Sequence, residues 1–184
     1  MEPWSARRPE LKVLDVGCGH GLTGCILAER HPAARVDAQD WSSVLAVAEA
    51  NAERLGVRDR VRLLPCDAFD VPLDGPYDLI VVGNLLFHFA PDRAAELVRR
   101  LAGALKPDGR PVTVGFTTGD QSPAQEPHAH LLGLLLLSWT AGGELHSTEA
   151  YGAMPAAAGL TGTELTARPG LPLRVQVAGR SGPS

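Results

Sequence analysis

Residues 13–21 read VLDVGCGHG: aliphatic side chains around an aspartate, then glycines at 17, 19 and 21 separated by single residues. A strand that runs into such a turn and out into a helix carries backbone N–H groups to a helix N-terminus, and the sequence predicts that they face a ligand. Spacing separates the ligand classes that use this geometry. A phosphate loop needs Gly-Lys-Ser/Thr, which the stretch lacks. A dinucleotide fingerprint needs G-x-G-x-x-G, and counting from Gly17 and Gly19 the third glycine position holds Leu22. What stands is G-x-G-x-G, with Asp15 two residues ahead of the first glycine.

Outward from this loop, strand-length apolar runs alternate with helix-like segments. KVLDV (12–16), ARVDAQD (34–40), VRLLPCD (61–67) and YDLIVVGNLL (77–86) predict strands. The last is nearly continuous, as expected of a strand covered on both faces. LTGCILAERH (22–31), SSVLAVAEANAERLG (42–56) and PDRAAELVRRLAGALKP (91–107) predict helices. In the second, Ser42 or Ser43 is the expected cap, Val44, Val47, Ala48 and Leu55 the inward face, and Gly56 the stop. In the third, Pro91 opens the helix and Leu97, Val98, Leu101 and Leu105 share one side. DGRPVTVGF (108–116) reads as turn then strand.

Beyond residue 117 the character changes. TTGDQSPAQEPHAH is polar and proline-rich, as a loop or lid edge is; LLGLLLLSW (131–139) reads as a buried helix or a pocket wall. STEAYGAMPAAAGL (147–160) reads as a helix, and TGTELTA with LRVQVAG as a closing antiparallel pair. The expected fold is α/β: a Rossmann-like, doubly wound, mostly parallel sheet with an antiparallel C-terminal strand pair, in three α/β/α layers. The expected division is a short extension (1–10), one domain (11–180) with a ligand-binding half (11–116) and a closing half (117–180), and a tail (181–184).

The bulk properties exclude several classes. The chain has 184 residues, and 17 Lys and Arg against 21 Asp and Glu give a net charge of −4, no footprint for nucleic acid or an anionic membrane. Its longest apolar stretch is too short to cross a bilayer. Cys18, Cys25 and Cys66 form no CxxC pair and no metal-type spacing with histidine, so no metal site is expected, and His128, His130 and His146 are expected at a loop or pocket rim. An odd cysteine count without a signal peptide suits a reducing cytoplasm.

VLDVGCGHG resembles the first motif of the class I S-adenosylmethionine-dependent methyltransferases, and further landmarks follow in order. The resemblance implies that Gly17, Gly19 and Gly21 wrap the methionine end of S-adenosylmethionine, with Asp15 on its amino-group side. DAQD ends the second strand at Asp40, 25 residues after Asp15. A carboxylate there accepts two hydrogen bonds at once and so grips two ribose hydroxyls; Trp41 beside it lies against the adenine or simply packs. LPCDAFD resembles the family's third strand tip, which implies Asp67 and Ala68 at the adenine amino group. YDLIVVGNLLFHF resembles its fourth strand, with Asn84 at the cofactor-facing end, and LKPDGR the turn before its fifth, with Asp108 where glycine is usual. Plainer roles stand beside these: Asp40 as a helix N-terminal acid, Asp67 as a turn residue, Gly21 as the close approach of two elements.

LFHFAPD resembles the small-molecule O-methyltransferases of plant phenolic and bacterial polyketide metabolism. That resemblance implies methyl transfer to a hydroxyl of a small aromatic acceptor, with His88 as the base and Glu144 helping to orient it. Phe89 and Ala90 stand where that family continues Asp-Trp, and the plainer role of His88 is a histidine satisfied in a helix-entry turn. Those enzymes carry a long helical N-terminal dimerisation region, whereas only MEPWSARRPE precedes the first strand here. The expectation is an uncovered apolar surface that a homodimer or a partner chain covers. The other readings are a shortened product that binds cofactor poorly, a compact enzyme with an open pocket, a non-catalytic methyltransferase-like subunit, and an N- or C-methyltransferase.

Overall fold

The apolar runs become strands of one sheet. β1 (Lys12–Val16), β2 (Arg35–Asp40), β3 (Val61–Pro65), β4 (Tyr77–Gly83) and β5 (Leu105–Phe116) pair in parallel, and β6 (Thr161–Arg168) and β7 (Leu171–Gly179) return antiparallel. The computed structural model describes residues 4, 8–118, 122, 124–125, 127–168 and 171–179. The expected tail, 181–184, and most of the expected extension, 1–10, lie outside these. Strand order is β3-β2-β1-β4-β5-β7-β6. The chain thus moves outward from β1 to β3, then returns past β1 to start β4. That reversal between β1 and β4 opens a crevice above their carboxyl ends, where sheets of this kind bind ligands.

Successive side chains of β1 and β4 point to opposite faces, and both faces are covered. Val13, Leu79 and Val81 pack with Cys25 and Ala28 of α1 (Leu22–Arg30) and with Leu45, Ala48 and Ala52 of α2 (Ser42–Arg54). Leu14, Val16, Ile80 and Val82 pack on the other side with Leu97, Val98 and Leu101 of α3 (Pro91–Ala102). Two further helices belong to the second half of the chain: α4 (Pro127–Trp139), and α5 (Thr148–Ala157), whose Tyr151 and Met154 join the α3 core. The expected architecture is therefore present.

Three local expectations fail for identifiable reasons. The residue preceding α2 is Trp41 in extended conformation, with Ser42 and Ser43 already inside the first turn, so neither serine caps. The buried face of that helix is Leu45, Ala48 and Ala52, whereas Val47 is 53% exposed; Ala48, as expected, faces inward, where Gly21 of the loop rests on it. α3 stops at Ala102, and Leu105 belongs to β5, paired with Tyr77 one register step before the main β4–β5 ladder begins. α4 decides between the two alternatives left open for it. Its Leu136 and Ala129 are buried, but Leu131, Leu134, Leu137 and Trp139 are 59–76% exposed. It is a pocket wall rather than a buried helix.

Candidate functional site at the carboxyl edge of the sheet

The glycine loop leaves β1 through three left-handed residues, Gly17, Gly19 and Gly21 (φ between +55° and +69°). A Cβ on Gly21 would fall 2.7 Å from the Cβ of Ala48, so this glycine lets the loop rest on α2. Gly19 is different: nothing lies within 4 Å of where its Cβ would be, and its backbone is bare toward the crevice.

The expected row of free N–H groups is not what the loop presents. Gly17 N–H donates to Gln39 Oε1 (3.0 Å), Cys18 N–H to the Gln39 carbonyl (2.9 Å) and Gly19 N–H to Asp40 Oδ2 (2.8 Å). Gly21 N–H donates to the Cys18 carbonyl and Leu22 N–H to His20 Nδ1. Loop donors are consumed by the tip of β2 and by the loop itself, so a ligand here meets carbonyls, side chains and shape. Beneath the loop, Asp15 is 2% exposed and accepts from Gly24 N–H (3.1 Å). Burial raises its pKa to about 7, opposed by the Gly24 bond and reinforced by the charge of Asp40. Burial likewise pushes up the Cys18, Cys25 and Cys66 thiols, which are neutral here.

The tips of β2 and β3 lie beside the loop, joined by Cys66 N–H donating to the Asp40 carbonyl (3.3 Å). Asp40 Oδ2 takes the Gly19 N–H and Oδ1 the Trp41 N–H (2.8 Å each), which fixes the carboxylate plane and leaves lone pairs on both oxygens. Trp41 is 58% exposed at the crevice edge. Asp67 Oδ1 accepts from Phe69 N–H (2.8 Å) in a local turn, and Oδ2 has no partner among the described residues. Ala68 turns inward and joins the core. Across the switch point, Asn84 follows β4 with φ +52°, exposed, its N–H donating to the Val114 carbonyl (2.7 Å) as one further rung toward β5. One edge of the sheet therefore gathers Asp15, Gly17, Gly19, Gly21, Asp40, Trp41, Asp67, Ala68 and Asn84.

His88 ends a short 3-10 turn (Leu86–His88) just past Asn84; it is exposed, and its ring lies 4.9 Å from that of Phe87, tilted 40° to it. Partial burial lowers its pKa, which favours the neutral imidazole. The segment carrying Glu144 runs alongside: a Cβ on Gly143 would touch the Phe87 carbonyl at 2.9 Å, and His146 Nε2–H donates to the Phe89 carbonyl (3.0 Å). Among the described residues no hydrogen bond joins Glu144 to His88. Glu144 is exposed and, with Thr118, His130, Leu134, Leu137 and Leu145, lines a cleft of about 490 Å³ against α4. His146, expected at a rim, is instead 2% exposed and ties this segment to the His88 turn.

A larger cavity, about 1060 Å³, lies at the opposite edge of the sheet between Trp4, Arg8, Asp78, Lys106 and Arg110. Four of its charged groups are spent on one another: Asp78 accepts from Arg8 (2.5 Å), Lys106 (2.7 Å) and the Lys12 N–H (2.9 Å), and Arg8 also bonds Asp108. Burial opposes ionisation of Asp78, but these donors outweigh it and lower its pKa. Size alone does not make that cavity the site. Sequence reasoning missed Gln39; the available signal was a second polar residue, after Asp37, in a strand that has to be buried on both faces.

Comparison with known proteins agrees with this geometry. Residues 13–109, more than half of the chain, match a family described as a methyltransferase domain. Acetylserotonin O-methyltransferase of Mus musculus is 33% identical over 176 residues, covering 92% of this chain and 44% of the relative. The crystal structure of an O-methyltransferase-type protein from Nostoc punctiforme superposes with a TM-score of 0.84 at 32% identity, over 93% of this chain and 52% of that one. An O-methyltransferase family 2 protein from Planctomyces limnophilus, solved in complex with apigenin, gives 0.80 at 26% identity, over 92% and 51%. The chain thus spans about half the length of the relatives it matches.

Proposed function

This chain belongs to the class I S-adenosylmethionine-dependent methyltransferases, and on that premise we propose that it moves a methyl group to a hydroxyl of a small, aromatic acceptor. The residues at the switch point fit the family's cofactor: bare backbone at Gly19, a pre-oriented acceptor pair on Asp40 for a ribose diol, and an unpartnered Asp67 oxygen one strand further out. When bound, that cofactor supplies a methyl group made electrophilic by its sulfonium. The chain's part is to hold the acceptor in line, which orientation alone makes worth several kcal/mol, and to take the hydroxyl proton. His88 Nδ1 or Nε2 would receive that proton, since its lowered pKa keeps the ring in the accepting form at neutral pH. Leu134 and Leu137 would hold the acceptor's apolar body. Asn84 would border the cofactor, Trp41 would lie over its adenine, and Glu144 would face the acceptor.

The observation that carries the reading is the position of His88, on the turn leaving the switch-point strand and joined through Phe87 and Phe89 to the segment that walls an apolar cleft. O-methyltransferases among the relatives support an oxygen acceptor. His88→Ala is expected to lower kcat by about 10²–10⁴-fold, with S-adenosylhomocysteine affinity by calorimetry unchanged. In wild type, kcat/KM is expected to fall on acidification, with a midpoint below the ordinary histidine value of about 6.5. Equal losses in kcat and cofactor affinity would reject the base role, and a folded chain that does not bind S-adenosylhomocysteine would reject the whole reading.

A further inference from the structure

Gln39 is 3% exposed at the penultimate position of β2, the middle of the three strand tips around the crevice. Its side chain spans both neighbours. Oε1 accepts the Gly17 N–H at 3.0 Å, and Nε2 donates to the Cys66 carbonyl at 2.6 Å. The backbone ladder stops at this level: β1 pairs with β2 as far as Val16 and Gln39, and β2 with β3 as far as Asp40 and Pro65. Past Val16 the chain turns left-handed at Gly17, and past Pro65 it turns toward Asp67. One backbone bond carries on past each ladder, Cys18 N–H to the Gln39 carbonyl (2.9 Å) and Cys66 N–H to the Asp40 carbonyl (3.3 Å), and the amide adds a second tie on each side.

A buried amide is favourable only when its polar atoms are bonded, and an aliphatic side chain would fill this strand position without that requirement. The place where the amide is kept is where the glycine loop and the β3 tip have to stand at a fixed separation. We propose that Gln39 is a positioning residue for the cofactor site, a side chain that bonds both the glycine loop and the tip of β3 and so tightens the gap between them. The proposal rests on reading this crevice as the cofactor site. Gln39 would touch no ligand; it would hold Gly17–Gly19 through one end and Cys66–Asp67 through the other, while neighbouring Asp40 pins Gly19. Loss of either bond would leave the strands paired and loosen the gap, which a backbone bond on each side and the Asp40–Gly19 bond would still bridge.

The test uses Gln39→Leu and Gln39→Glu. S-adenosylhomocysteine binding is measured by calorimetry at a temperature where circular dichroism shows each variant folded, and amide exchange is followed over Gly17–His20 without ligand. Gln39→Leu is expected to weaken binding at least tenfold and to speed exchange of the Gly17 amide. Gln39→Glu behaves as a graded version. Ionised, the new carboxylate still accepts from Gly17 but opposes the Cys66 carbonyl; protonated, it donates there again. Its affinity relative to wild type is expected to rise as pH falls from 8 to 5.5. Asp15, Asp40 and Asp67, the other acids at these tips, are common to both proteins, so the ratio isolates position 39. Binding within twofold of wild type in both variants, whatever their melting temperatures, would make the amide merely structural and overturn the proposal. If Gln39→Leu does not fold, a flat affinity ratio for Gln39→Glu between pH 8 and 5.5 overturns it instead. Wild type failing to bind would sink the cofactor reading separately, while the exchange data would still report whether Gln39 holds the loop.

Discussion

Residues 11–116 and 117–179 reach the same edge of one sheet and are finished there in opposite ways. On the first side the glycine loop is bonded down by Gln39 and Asp40, and Gly21 leaves no room for a methyl group beside Ala48. On the second side α4 turns Leu131, Leu134, Leu137 and Trp139 outward, and Leu134 and Leu137 wall the cleft beside it. The first arrangement suits a ligand whose shape never changes. The second suits one whose shape is free to differ between related proteins, because exposed leucines can be exchanged without disturbing a core. If this contrast is correct, substitutions on the two sides separate cleanly: those by the loop act on cofactor affinity and stability together, and those on α4 act on acceptor handling alone.

The harshest way to break the contrast is Gly21→Val. A left-handed non-glycine residue costs about 1–2 kcal/mol, and an added side chain against Ala48 at 2.7 Å adds about 1–3 kcal/mol of overpacking. The expected outcome is a melting temperature lower by 5 °C or more and S-adenosylhomocysteine affinity reduced over a hundredfold. Retention of near-normal affinity would mean that the loop does not need to rest on α2, and the rigid side of the comparison would fail.

The same contrast explains what the sequence made legible. β1 to β4 were readable to within a few residues because a parallel strand covered on both faces has to be an apolar run, and KVLDV and YDLIVVG are. The strand-tip acids followed once the loop was placed. The α2 face was read correctly at Ala48 and Leu55 but not at Val47, which is exposed while Leu45 and Ala52 are buried; Ala48 is where Gly21 rests on the helix, and there hydrophobic size is a poor guide. Gln39 carried no motif, and its meaning depends on where two ladders end, which only the register reveals. The leucines of α4 were left between two readings, because an apolar run of that length reads the same whether it faces a core or a cleft.

A milder probe is Asp15→Asn, which keeps an oxygen for the Gly24 N–H but removes the buried charge. The folded pKa of Asp15, about 7, lies above its ordinary 3.8, so between those values the folded state holds a proton that the unfolded state has lost. Its contribution to stability therefore declines as pH rises from about 4 to 7, and the penalty is full above pH 7. The variant is expected to melt a few degrees higher than wild type at pH 8 and at nearly the same temperature at pH 4. If the carboxylate also serves the cationic end of the cofactor, the variant binds S-adenosylhomocysteine about tenfold more weakly at pH 8, with a flatter pH dependence between 6 and 8. A gain in stability without loss of affinity would place Asp15 outside the cofactor's reach.

The gentlest probe tests the other side. Leu137 is 70% exposed and lines the α4 cleft with Leu134. Leu137→Gln removes apolar surface that the fold does not bury, so stability is expected to stay within about 0.5 kcal/mol, against the roughly 2–5 kcal/mol that truncating the buried Leu79 to alanine would take. Cofactor affinity should not move, since the bonds that hold the glycine loop go to the tip of β2 and to the loop itself. Acceptor KM is the quantity that should respond: losing about one methylene of burial against an aromatic body corresponds to roughly 0.8 kcal/mol, or about fourfold. A melting temperature depressed by 5 °C or more would show α4 to be part of the core, and weakened S-adenosylhomocysteine binding would show that the two sides are coupled. An unchanged KM across phenolic acceptors would move the acceptor out of this cleft, leaving the exposed leucines to be explained by something other than the reaction.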